Sequence, residues 1–201
     1  MANPTQIANL ALSWMGQNLI NALGDNQNEA KIMNANYELS RDKVLEDYAW
    51  TFAQRREILS PVLPVPTFGE GNSFLIPSDV LRVHRVFRPT GSSISPTLQT
   101  HKLQNARWER LGNKIFAREE IVWAVFIIRV VDTGLFSPGF VHALAARLAA
   151  DTAMTLTESE RLATRMEERY DTKIGEAAYA DGSQGRTEVI QSTKLTGTRT
   201  R

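Results

Sequence analysis

Residues 37–59 read YELSRDKVLEDYAWTFAQRREIL. Charged, helix-forming residues run into Trp50, Thr51 and Phe52, then into Arg55 and Arg56, with Pro61, Pro64 and Pro66 just beyond. Met33, Tyr37, Ser40, Val44, Tyr48 and Phe52 recur at steps of three or four, which predicts one apolar face of a long helix within 25–52. Lys31, Glu38, Arg41, Asp42, Lys43 and Glu46 fall on the other sides. Asn28 is the expected N-cap, and Glu29 suits the first turn. The helix cannot pass Ser60, because Pro61 lacks an N–H and disfavours helical backbone in the residue before it. Two readings of the closing aromatics compete. They cap the domain's own core, or they belong to a scaffold that docks onto other subunits.

Upstream, Ile7, Leu10, Ala11 and Trp14 share helical spacing within 4–15. Pro4 sits in the first turn, where its missing N–H costs nothing, and Gly16 ends the helix. Downstream, 60–73 reads as an extended connector. In 72–89, Leu81, Val83, Arg85 and Phe87 alternate with Arg82, His84 and Val86, an imperfect strand pattern. Residues 97–118 read as two or three short strands, with Gly112-Asn113 as a hairpin turn. The run IVWAVFIIRVVD (121–132) is the strongest strand, and its unbroken apolar character predicts burial on both faces or a long strand passing between packed elements.

Ser137-Pro138 is an N-cap followed by proline at the first helical position. The helix it opens carries Val141, Leu144, Ala145 and Leu148 on one stripe and extends to about Met154. Residues 157–160 (TESE) have capping-box spacing. Leu162, Met166, Tyr170, Ile174 and Ala177 then mark a fourth helix. From Asp181 the helical period is lost. The fold class is therefore α+β: a four-helix bundle with a small, mainly antiparallel β-sheet inserted between the second and third helices, and an extended C-terminal tail. The expected parts are the N-terminal helices (1–59), a β-rich insert (60–136), the C-terminal helices (137–181) and the tail (182–201).

Composition narrows the function. The 201 residues are 42% hydrophobic and 22% charged, ordinary values for one globular domain. A net charge of +1 gives no argument for a polyanion or a membrane surface as main partner. With no cysteine, disulfides, thiolate zinc sites and cysteine nucleophiles are excluded. Residues 1–20 lack the basic n-region and unbroken apolar core of a secretory signal. The run 121–128 is too short to span a bilayer as a helix.

Catalytic constellations are missing. His84, His101 and His142 show no metal-ligand spacing and read as structural or surface residues. The sequence has no phosphate-binding glycine loop and no GxSxG. Glu119-Glu120 and Glu167-Glu168 are adjacent pairs whose side chains diverge, so they read as solvated faces. No catalytic, cofactor-binding or metal-binding residue is assigned, no cofactor is implied, and the expectation is a protein that is not an enzyme. One alternative remains: a basic β-sheet that binds nucleic acid. Arg82, Arg85, Arg88, His101, Lys102, Arg107, Arg110, Lys114 and Arg118 interleave with Phe87, Trp108 and Phe116.

The segment RDKVLEDYAWTFAQRREIL (41–59) resembles a pattern near the N-termini of head-to-tail adaptors of tailed phages, the family called tail tubular protein A, or gatekeeper, in T7-like podoviruses. There, a helix ending in Gly is followed by a second closing on Trp-x-Phe, then basic residues and a Leu. The preceding residues 7–42, the LFSPGFVHALAARLA segment (135–149) and the polar C-terminal end are similar too.

The resemblance implies a structural virion protein at the head-tail junction, assembled in the host cytoplasm. It implies a closed homo-oligomeric ring, expected to be a dodecamer, that joins the portal protein to the tail nozzle protein, tail tubular protein B. The ring would line the genome-ejection channel, touching passing DNA only transiently and no membrane. It further implies that the tail docks on the portal through Arg186, Val189, Ile190, Lys194, Leu195, Arg199 and Arg201. On this reading Trp50 and Phe52 plug the bundle–sheet junction, and Arg55 and Arg56 are candidate contacts to a neighbouring subunit's carboxylate.

Overall fold

The computed structural model describes residues 2–63, 71–88 and 104–184. It is α+β, with four helices and two small antiparallel sheets. The helices are α1 (Pro4–Met15), α2 (Asn28–Asp47), α3 (Pro138–Thr157) and α4 (Glu160–Gly182). The strands are β1 (Gln54–Leu59), β2 (Asn72–Leu75), β3 (Val80–Arg88), β4 (Gln104–Asn105), β5 (Trp108–Leu111), β6 (Lys114–Ala117) and β7 (Val122–Ile128).

α1 has the expected bounds. Gly16 closes it in the left-handed region, φ 71°, where a glycine meets no Cβ penalty. Asn3 opens it with a capping box, its Oδ1 accepting from Gln6 N at 2.7 Å while Asn3 N donates to Gln6 Oε1 at 2.9 Å. α2 departs from expectation at both ends. Asn28 is its first helical residue, and Gln27 holds the cap position without a side-chain bond.

At the other end, α2 stops at Asp47, before Trp50 and Phe52. A single 3₁₀ turn, Thr51–Ala53, leads directly into β1, so QRREIL is a strand rather than the end of a helix. The strand forms because β7 supplies a complete antiparallel partner, from Gln54↔Ile127 to Leu59↔Val122. Its polar residues suit its place at the edge of the sheet.

The first sheet has the order β1-β7-β3-β4, the second β2-β6-β5. β7 is central in the first sheet, as its apolar run predicted. Its Val122, Ala124 and Phe126 enter a core shared with Phe74 of β2 and with Ile115 and Ala117 of β6. Ile127 points the other way and joins the helical core.

β3 overturns simple alternation. Its pairing with β7 slips between Val80 and Arg82 and again between Val83 and Arg85, two β-bulges. The buried residues are therefore Val80, Val83 and Val86, spaced by three, while Arg85 is exposed. The Gly112-Asn113 turn joins Leu111 to its partner Lys114, with Gly112 at φ 58°.

Ser137 caps α3 by accepting from Phe140 N at 3.2 Å, as expected. The next cap is Ser159, not Thr157. α3 continues through Thr157, Glu158 turns at φ 52°, and Ser159 Oγ accepts from Leu162 N. Residues of all four helices share one core, which includes Ile7, Leu12, Met33, Leu45, Leu144, Leu148 and Met166. Gly139 lets α3 approach α4 closely: a Cβ there would stand 3.0 Å from the Ala177 Cβ. No helix among the described residues is long and apolar enough to cross a membrane.

Candidate interaction surface

Trp50 is completely buried, and its Nε1 donates to Val44 O at 2.8 Å, turning the chain back on the end of α2. Its ring meets Tyr48 and Phe140 edge-on, each with centroids 5.1 Å apart. Phe52 is half-buried and packs on Phe136 and Phe140. The residues that seemed to close a helix therefore form an aromatic cluster between α2, the start of β1 and the start of α3. Aromatic pairs at these separations add about 0.5–1.5 kcal/mol beyond their burial.

Arg55 and Arg56 part company because successive strand residues face opposite sides. Arg55 finds its carboxylates within its own chain. It donates to both oxygens of Asp79 and pairs with Glu57 at 2.6 Å. The guanidinium beside Asp79 holds that carboxyl below the usual carboxylate range. The expectation that Arg55 awaits a neighbouring subunit's carboxylate thus gives way to an intrachain fork. Arg56 is exposed, on the other face of β1.

That other face is ordered in rows. Ile58 of β1, Trp123 of β7 and Phe87 of β3 are cross-strand neighbours. Arg56, Val125 and Arg85 form the next row, and Gln54, Ile127 and Arg82 the one nearest the helices. Arg56, Ile58, Arg85, Phe87, Trp123 and Val125, with Gln54 and His84, frame a groove of about 530 Å³. Glu57 borders it, but its carboxylate is engaged by Arg55. Burial, then the charges of Arg85 and Arg82, hold the His84 imidazole below its ordinary pKa, so it is neutral near pH 7. The groove's positive charge comes from its arginines. Phe87, Arg82 and Arg85 were flagged by the sequence; Trp123 and Arg56 were not grouped with them, because only the register of β1 and β7 brings them together.

A second link was invisible in the sequence. Asp181, near the end of α4, is buried and accepts from Thr51 N at 2.9 Å and from Thr51 Oγ1 at 2.8 Å. It caps the turn that launches β1. α4 itself ends at Gly182, one residue beyond Asp181. The tail residues Arg186, Val189, Ile190, Lys194, Leu195, Arg199 and Arg201 lie outside the described residues, as does His101. His142 stacks near Trp14, with centroids 6.1 Å apart. Among the described residues no group of three His, Cys, Asp or Glu could hold a metal ion. No protein-family model matches the sequence, and no curated protein matches it.

Proposed function

We propose that the chain is a structural subunit of a head-to-tail adaptor ring, joining a portal to a tail nozzle around the channel for the genome, and that it catalyses no reaction. The observation that carries this reading is where the two most telling stretches of the resemblance meet. Trp50 and Phe52 from the 41–59 segment and Phe136 and Phe140 from the 135–149 segment are one aromatic cluster. The pattern shared with adaptors thus corresponds to a single packing unit.

On this reading the four helices act as a bundle and the strands between α2 and α3 as an insert. The chain following α4 docks on portal subunits. Closed cyclic symmetry gives every subunit the same contacts, and twelve copies are expected.

The test is size-exclusion chromatography with light scattering on the protein mixed with the portal from the same genome. Full-length chain is run beside a version ending at Gln184. The cut falls there because Asp181 secures Thr51 and because Ser183 N and Gln184 N bond back to the end of α4. Co-elution of the full-length chain, lost on truncation, supports both adaptor role and tail docking. Co-elution of both versions keeps the role and removes the docking assignment. Failure of both removes portal attachment.

A further inference from the structure

The outer face of the four-stranded sheet carries charge that no described carboxylate matches. Several arginines of this chain pair with carboxylates: Arg55 with Asp79 and Glu57, Arg41 and Arg129 with Asp42, Arg147 with Asp151. Arg56 and Arg85 have no carboxylate partner among the described residues. They flank Val125 in register, one on each side of β7. With strands about 4.8 Å apart, their backbones are about 10 Å apart. One row behind, the Arg82 Nε is buried and has no hydrogen-bond acceptor. One row ahead lies the apolar row of Ile58, Trp123 and Phe87.

The bulges of β3 make this arrangement. Without them Arg85 would fall on the same face as Val83, inside the sheet core. With them, Val83 and Val86 both face inward and Arg85 and Phe87 face out. Bulges are a recurrent means of re-aiming side chains beside functional sites.

We propose that this groove binds single-stranded nucleic acid, its bases against Phe87 at the end of the apolar row and its phosphates on Arg56 and Arg85. An aromatic platform beside a basic row matches the alternation of flat base and charged phosphate along such a strand. Both arginines can reach phosphates of one strand, since a strand stacked as in a duplex carries one phosphate per ~3.4 Å of helix axis. Duplex DNA is a poor occupant because its base faces are already stacked on one another. The groove volume is within the range of sites that enclose a small ligand, enough for a nucleotide or two. The chain's own tail has the wrong sign: residues 182–201 hold Arg186, Lys194, Arg199 and Arg201 against Glu188 alone. This site stands independently of any ring assembly.

The experiment is fluorescence anisotropy of a labelled decathymidylate titrated with the full chain over a salt series, beside a duplex of the same length. Charge reversal by Arg56→Glu with Arg85→Glu is compared with Arg161→Glu with Arg165→Glu, exposed arginines on α4. Arg56→Gln with Arg85→Gln is the milder pair should reversal perturb folding, which circular dichroism reports. The expected result is binding to the single strand that exceeds binding to the duplex. The groove pair should weaken it at least tenfold and flatten the salt slope by about 1.4, the loss of two single-strand phosphate contacts. The α4 pair should leave it within twofold. Equal weakening by both pairs, equal binding of duplex, or no binding at low salt would each overturn the proposal. Displacement of the oligonucleotide by an equimolar oligoglutamate peptide would also overturn it, making an acidic protein segment the occupant.

Discussion

The helices and the outer sheet face treat charge differently. Between helices, polar groups are matched across elements distant in sequence. Ser40 donates to Asp151, which also pairs with Arg147; Tyr170 donates its hydroxyl to Asp47, which Lys43 also contacts. Burial, then the neighbouring Asp47, drives the Tyr170 phenol well above its ordinary pKa, so it remains a donor throughout the accessible range. On the sheet, Arg55 is matched inside while Arg56, the next residue, has no carboxylate partner among the described residues. Arg56 and Arg85 thus set the outer row of the sheet apart from the paired groups between the helices.

The sharpest way to break this comparison is to attack the scaffold at its densest point. Trp50→Ala removes the centre of the aromatic cluster and the bond to Val44 O, and is expected to cost about 3–5 kcal/mol. Urea denaturation measures it, and a loss below about 1 kcal/mol would mean the cluster is peripheral. The sheet supplies the counterpart. Val86→Ala deletes two buried methyl groups and should cost about 2 kcal/mol, whereas the neighbouring Arg85→Ala should stay within about 0.5 kcal/mol. Similar values for the two would contradict the bulged register of β3.

Helix contact gives a subtler contrast. Gly139→Ala drives a methyl group against Ala177 and should destabilise by about 1–2 kcal/mol. Gly175→Ala, in the interior of α4 with open space around it, should stabilise by up to about 1 kcal/mol. Thermal unfolding of the two variants should therefore move in opposite directions.

The smallest effect is electrostatic. Because the folded state lowers the His84 pKa below 6.5, the unfolded chain binds that proton more readily. The contribution of neutral His84 is present above pH 6.5 and is lost as pH falls through that value and the lower folded one. A stability–pH profile over this window should be flatter in His84→Gln than in the parent, and identical slopes would remove the assignment.

These contrasts follow what the sequence made legible. α1, α3 and α4 could be read because a 3.6-residue period is local, and so could the Gly112-Asn113 turn and the apolar run of β7. β1 could not, since QRREIL has the composition of an exposed helix and becomes a strand only by pairing with β7. The bulges of β3 hid its buried face by turning a two-residue period into steps of three. Asp181 and Thr51 are 130 positions apart, and no local pattern announces their bond. The Arg55–Asp79 fork is closer in sequence but equally dependent on tertiary placement. The groove's parts, arginines and aromatics, were visible as residue types. Their grouping into rows was not, because it depends on the register of three strands.

The adaptor reading is tested most directly by native mass spectrometry of the protein mixed with the isolated portal ring. A complex heavier than the portal by a fixed, ring-closing number of 22.5 kDa chains is expected, with few partly loaded species. A portal that stays at its own mass, or gains chains one at a time without a closed stoichiometry, would contradict it.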